Sequence, residues 1–282
     1  MILTTLRLGS LVVGLALASL APPAAAVPQT PTLTSVTARH VGSVDRVTFR
    51  FDHGLPAKVY PQWVDRLAYD GSGLPVRVAG TKVLQVGFTS ATAHDDDGLT
   101  AAKRTAYALP NVITSVYGGD FEGYVSIGLG VQKRTSYTVT RLSDRIVVDV
   151  RADFPTTSRK VWLVDTQANV VPRSRPVPVD APAAGALHAL FAGPTPQERA
   201  AGLRLVRSGA WGFDGLSVVD GIARLRLTRH CNSGGSTTTV ASEIFPTLRQ
   251  FPSVDWVKIL APNGTTEQPT GDVDSIPACL EP

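Results

Sequence analysis

The sequence predicts two domains, an all-β sandwich followed by an α+β module with two main helices on a small sheet. Three observations predict this. Residues 34–152 show apolar residues at every second position, residues 160–263 mix that period with helical spacing, and the whole chain is 282 residues, longer than one core commonly serves.

Ahead of the first domain, Met1 to Arg7 carries one positive charge and Leu8 to Leu20 is mostly apolar. Ala21-Pro22-Pro23-Ala24-Ala25-Ala26 then supplies small residues in a cleavage pattern. Residues 1–26 are expected to be a secretory signal peptide, with an apolar run too short to span a bilayer. No cysteine stands just after that run, so a lipoprotein is not expected. No second run of about 18 apolar residues exists, and so no membrane span. The expected location is extracellular or at the cell wall. Residues 27–33 form a Pro-rich lead.

In residues 34–152, Val47, Phe49 and Phe51 alternate with Arg46, Thr48 and Arg50. Leu84, Val86 and Phe88 repeat the pattern, as do Val125, Ile127, Leu129 and Val131, and then Ile146, Val148 and Val150. A strand with one buried face alternates in this way. Asp70-Gly71-Ser72-Gly73 and Gly118-Gly119-Asp120 are turn signals. About eight strands are expected. Residues 153–159 are a linker by composition.

In the second half, Lys160–Val164 and Val171–Val179 are expected strands, the latter confined to an edge by its prolines. Ala186, Leu187, Leu190 and Phe191 have helical spacing. Thr195-Pro196-Gln197-Glu198 is a capping box with proline at the first helical position. Asp220-Gly221 joins two strands as a two-residue hairpin turn. Val240, Ala241, Ile244, Phe245 and Leu248 mark a helix over about 238–251, which Pro246 should kink or delay. Val254–Leu260 closes as a strand. The two cysteines, Cys231 and Cys279, read as one disulfide in an exported protein, tying residues 264–282 back to their domain.

Charge excludes one class of partner. Without residues 1–26, and so without Arg7, 26 basic side chains face 23 acidic ones, far from a nucleic-acid footprint. The small positive balance still favours loose contact with anionic wall polymers.

No catalytic constellation is legible, and the chain is not expected to be an enzyme. Gly-x-Ser-x-Gly, His-Glu-x-x-His, Rossmann and P-loop patterns are absent, so neither catalytic residues, a metal nor a cofactor is predicted. His94-Asp95-Asp96-Asp97-Gly98 lacks calcium-loop spacing and reads as a solvated loop. Two pairs remain as candidate ligand-binding residues. Tyr60 and Trp63, within a set completed by Tyr69, Tyr117 and Tyr124, could stack on a sugar. Asp120 and Glu122 flank Phe121 in a strand-like run, so both carboxylates would share a face. A secreted glycan hydrolase using that pair is the alternative reading.

Several blocks carry resemblances. Arg39-His40, Asp45 to Phe51, Gly119-Asp120-Phe121-Glu122-Gly123 and Arg145 to Val150 resemble the AMIN-like domain of exported actinobacterial-type proteins. AMIN domains proper are β-sandwiches that localise periplasmic amidases and secretins through peptidoglycan. Lys160-Val161-Trp162-Leu163-Val164, Leu187 to Pro194, Glu198 to Gly202, Val219 to Leu225 and Thr247 to Val254 resemble the GerMN domain of sporulation and spore germination. That resemblance implies an exported, often lipid-anchored module that binds or scaffolds at the cell surface, with some relatives building rings. The absent lipid-attachment cysteine and Pro246 depart from the family pattern. The resemblances together imply a non-catalytic envelope protein whose partner is a cell-wall polymer or an envelope protein, or else an oligomerising assembly module.

Overall fold

The computed structural model describes residues 1–2 and 29–282. Apart from Met1 and Ile2, the expected signal segment lies outside the described residues.

The period-two runs form two antiparallel sheets. One takes β1 (Thr32–Val41), β2 (Val44–Asp52), β12 (Tyr137–Arg141) and β13 (Arg145–Arg151) in the order β1-β2-β13-β12. The other takes β3 (Lys58–Val64), β6 (Lys82–Thr89), β9 (Arg104–Ala106), β10 (Val112–Phe121) and β11 (Tyr124–Val131) in the order β3-β6-β11-β10-β9. Short ladders β4 (Leu67–Ala68) with β5 (Pro75–Val76), and β7 (His94–Asp95) with β8 (Gly98–Leu99), decorate the connections. The alternating residues of both sheets share one core. Phe88 of β6 meets Phe49 and Phe51 of β2 edge-to-face, with ring centroids 5.0 and 5.2 Å apart. Edge-to-face contact sets the positive rim of one ring on the negative face of the next.

Two details depart from simple alternation. β11 is buried on both faces beyond Tyr124. Its second face carries Ser126, Gly128 and Gly130, and the absence of bulk there lets residues 67–79 lie on the sheet. A Cβ at Gly130 would fall 1.9 Å from the Ala79 carbonyl, and one at Gly128 2.7 Å from Leu67 Cδ2. A small separate cluster of Leu67, Val76, Val83 and Val116 results. Secondly, the carboxylate of Asp45 is fully buried. It accepts from the amides of Asn111 (2.7 Å) and Val112 (2.8 Å) and bonds His40 Nδ1 at 2.8 Å. A buried carboxylate is tolerable only with such donors.

The second half opens with a hairpin of β14 (Thr156–Val164) and β15 (Val170–Pro178). Residues 156–159, expected as linker, are therefore strand. Thr156 and Thr157 are β-branched, and they find partners in Pro178 and Val177. β15 pairs only with β14, which accommodates the missing N–H groups of Pro172, Pro176 and Pro178. Next come α1 (Pro182–Ala192) and the short α2 (Pro196–Ala200). The Thr195 capping box forms as expected: Thr195 Oγ1 accepts from the Glu198 amide, and Glu198 Oε2 accepts from the Thr195 amide at 2.8 Å. Glu198 also takes a bidentate pair from Arg175 of β15, itself buried. Burial pushes the Glu198 carboxyl up, but Arg175 and Thr195 outweigh it and hold it below its ordinary value.

A three-stranded sheet follows, of β16 (Ala210–Val219), β17 (Ile222–Arg229) and β18 (Trp256–Leu260). β16 and β17 are antiparallel across Asp220-Gly221, where both residues take positive φ (49° and 75°). β18 runs parallel to β17, and α3 (Val240–Arg249) lies in the crossover between them. α3 runs through Pro246 without a break. Ser208 Oγ accepts from the Val240 amide at its start. Its apolar side packs with α1 and β17 around Leu187, Leu225, Ile244 and Leu248. The same core takes in Ala79, Ala106 and Ile113 of the first half, so apolar packing is continuous between the halves. Gln132 Nε2 donates to the Gly185 carbonyl across that junction at 3.1 Å. A Cβ at Gly185 would fall 2.9 Å from Val177 Cβ, so the glycine lets α1 lie close on β15.

The tail returns to the last strand. Ser275 exchanges backbone hydrogen bonds with Val257 and Ile259, at 3.0 and 2.9 Å. Cys231 and Cys279 are disulfide-bonded, with Cα atoms 5.5 Å apart. Lys258 is buried to 1 % exposure under this tail, and its ammonium donates to the carbonyls of Gln268 (2.8 Å) and Thr270 (3.0 Å).

Candidate functional site

Tyr60 and Trp63 both lie on β3, an edge strand, but three residues apart they face opposite ways. Tyr60 is 46 % exposed and sits opposite Gly87, where the Tyr124 hydroxyl also lies. Trp63 is half-buried against the first core. Its ring meets Tyr137 edge-to-face at 6.1 Å, and the Arg134 guanidinium stands 5.9 Å from it. The structure does not bring the two into one stacking platform.

Asp120 and Glu122 both border a shallow depression of about 530 Å³, with Thr92, His94, Asp95 and Asp96. They do not share a strand face. Glu122 occupies the exposed β10–β11 turn with φ of 51°. Asp120 is 4 % exposed, and its Oδ2 is bonded by Thr92 Oγ1 (2.7 Å), the Ala93 amide (2.6 Å) and His94 Nδ1 (2.6 Å). Three donors on one oxygen make Asp120 the anchor of the 92–94 turn. Thr92 Oγ1 reaches the same His94 nitrogen, at 3.1 Å, so the imidazole is not a relay between hydroxyl and carboxylate. Arg46 and Arg145 bond Asp149 and Asp144 and are not partners of Asp120 or Glu122. Among the described residues, no group of three or more His, Cys, Asp and Glu is placed to hold a metal.

The larger cavities lie at the junction of the halves. One, of about 610 Å³, is lined by Tyr69, Arg77, Lys103, Arg104, Tyr117, Arg199 and Trp211, with Pro75, Val76, Ala102 and Val116 completing its wall. The segment over the sheet supplies Tyr69 and Arg77, β9 and β10 supply Arg104 and Tyr117, and α2 and β16 supply Arg199 and Trp211. Four cations line it and no carboxylate does. None of the four makes an ion pair with any described residue. Arg104 Nη2 donates to the Arg77 carbonyl, but Nη1 of each arginine is buried without a partner. Burial, with the Arg77 charge beside it, pushes Arg104 down to about 10. Burial, with Asp120 and Asp70 nearby, pushes the Tyr117 hydroxyl up to about 12. A second cavity of about 590 Å³ shares Arg77 and Trp211 and adds His188 and Phe213. Desolvation holds His188 down at about 4, so it is neutral at physiological pH, and its ring centroid lies 4.8 Å from that of Phe213.

Two family models divide the chain. Residues 31–152 match the AMIN-like domain, and residues 154–267 match the domain described as sporulation and spore germination. The chain is an AMIN-like domain followed by a GerMN-type domain. Similar solved structures include the tandem GerMN domains of the sporulation protein GerM from Bacillus subtilis. That structure is 19 % identical over 45 % of this chain and 46 % of its own, with a TM-score of 0.32. The chain therefore spans about half its length. The first GerMN domain of the same protein is 19 % identical over 44 % of this chain and 98 % of its own, also at 0.32. No curated protein matches the chain.

The junction cavity joins the AMIN-like and GerMN-type domains, and the sequence did not disclose it. Tyr69 and Tyr117 stood out only as aromatics, and Lys103-Arg104 is a bare dipeptide. Arg77, Arg199 and Trp211 are brought to them by domain packing alone.

Proposed function

We propose that this AMIN-like and GerMN-type chain is a non-catalytic, exported cell-envelope protein that binds or scaffolds at the wall. The match of residues 31–152 to the AMIN-like domain carries the reading. On it, the two sheets of the first domain act as a β-sandwich that contacts peptidoglycan or a surface complex, and the GerMN-type domain presents a second surface. Two further observations support it. One oxygen of Asp120, the carboxylate best placed for chemistry, is held by three donors, and His94 shares that oxygen rather than activating a nucleophile. No helix among the described residues is long and apolar enough to cross a membrane.

The expected result is co-sedimentation of the chain from residue 27 to 282 with purified peptidoglycan at physiological salt, above the level of an unrelated protein of similar charge. Recovery wholly in the supernatant removes the wall-binding part. Both domains belong in the experiment because their apolar packing is shared.

A further inference from the structure

We propose that the cavity between the two domains binds an anionic saccharide, a sugar ring bearing a carboxylate or phosphate, through Arg77, Lys103, Arg104 and Arg199. This goes beyond wall binding and stands or falls separately from it.

The first ground is charge without a counter-charge. Four cations line the cavity and no acid does. Arg175, also buried, holds Glu198 in a bidentate pair; Arg77 and Arg104 are largely buried with no such partner. Gathering cations from three separate regions of the chain costs repulsion, with desolvation of Arg77 and Arg104 besides, and no carboxylate in the lining offsets it.

The second ground is the orphan donors. Arg77 makes no side-chain hydrogen bond, and Nη1 of Arg77 and of Arg104 are two of three buried side-chain polar atoms without a partner among the described residues. A guanidinium presents paired N–H groups that match carboxylate and phosphate oxygens, so an anion supplies what these two lack. The depressed ionisation of Arg104 and Arg77 reports the same uncompensated burial.

The third ground is the rest of the lining. Tyr69 and Tyr117 bring apolar rings with a hydroxyl at the edge, and Trp211, one face of which carries the Arg229 guanidinium at 4.3 Å, adds an indole, the combination that takes a sugar ring. A cavity of about 610 Å³ is the size of a small-ligand site. The raised Tyr117 hydroxyl stays protonated and can donate to an anion. Inorganic anions alone would leave these faces unused.

The experiment titrates the chain from residue 27 to 282 with glucose 6-phosphate, glucuronate, inorganic phosphate and glucose, following heat of binding and thermal shift at two salt concentrations. Glucose 6-phosphate or glucuronate should bind at least tenfold more tightly than glucose and weaken as salt rises; which of the two binds better distinguishes a phosphate from a carboxylate ligand. Phosphate alone binding as tightly as glucose 6-phosphate overturns the saccharide part. Arg77→Leu should weaken binding at least tenfold while leaving the melting temperature of the free protein equal or higher, because it removes an unpaired, partly buried charge. A purely structural Arg77 would instead lower it. Lys103→Ala/Arg199→Ala changes two exposed side chains and provides the same test should the Arg77 variant fold poorly. No binding by either charged sugar, or binding unaltered in that double variant, overturns the proposal. The wall-binding result bears on neither outcome.

Discussion

Breaking the Cys231–Cys279 bond should cost the GerMN-type domain about 4 kcal/mol, because a crosslink spanning some 50 residues removes that much chain entropy from the unfolded state. The two cysteines are 48 positions apart, and the bridge joins the end of β17 to the C-terminal tail. The tail is not idle packing. Ser275 continues the hydrogen bonding of β18, and residues 268 and 270 supply the only acceptors of the buried Lys258 ammonium among the described residues. Freeing the tail therefore also strands a buried cation. Cys231→Ser/Cys279→Ser should melt about 10 °C lower than the parent, at 2–4 °C per kcal/mol for a chain of this size. Reductant should shift the parent alone and leave the double variant unmoved. Amide exchange should rise first at Ile259 and Ser275. Equal melting temperatures with and without the bond refute the assignment of this role.

The Glu243→Gln variant should be more stable than the parent at pH 8 and equal to it near pH 4. Glu243 lies in the first turn of α3, fully buried, and its only charged neighbour of note is Arg204. Burial pushes its carboxyl up to about 9, against two backbone donors, Val206 chief among them, that favour the ionised form. The folded group thus keeps its proton where the unfolded one has lost it. Between the unfolded value, near 4.5, and about 9, the folded state binds more protons, so stability falls as pH rises. Below the unfolded value the contribution is fully present, and it is lost on passing through the folded value. Each unit of pH in that window costs at most about 1.4 kcal/mol, or about 4 kcal/mol from pH 5 to 8. Gln keeps the shape and an acceptor for Val206 without a proton to lose. Thermal unfolding of both proteins at pH 4, 6 and 8 reads the difference directly. A parent and variant with parallel pH profiles refute the protonated state.

Local patterns were legible where neighbours along the chain decide the structure. The Thr195 capping box closes because its two partners are three residues apart, and Asp220-Gly221 turns because both residues tolerate positive φ. Long-range context overrode local signals elsewhere. Residues 156–159 look like linker but find strand partners at 175–178. Pro246 looks like a helix breaker, yet α3 spans it, held by packing of Ile244 and Leu248 into the core. Glu122 looked like strand and is turn, because Gly123 offers a tighter reversal than the alternating pattern disclosed.

The candidate surfaces divide in the same way. Tyr60 and Trp63 are three positions apart, and on a strand an odd spacing sends side chains to opposite faces. Asp120 is hydrogen-bonded by Thr92, Ala93 and His94, some 27 positions away, which no motif spacing announces.

By itself the sequence determined the succession of a β domain and an α+β domain, the core-facing residues of β2, β6, β11, β13, α1 and α3 and the single cysteine pair. These follow from periodicity and counting, which act between near neighbours. Only the tertiary structure decided which charges are paired, which carboxyl keeps its proton and which cations stand together without an acid. Those depend on burial and on distances between residues remote in the chain, and both are set by packing within each domain and between the two.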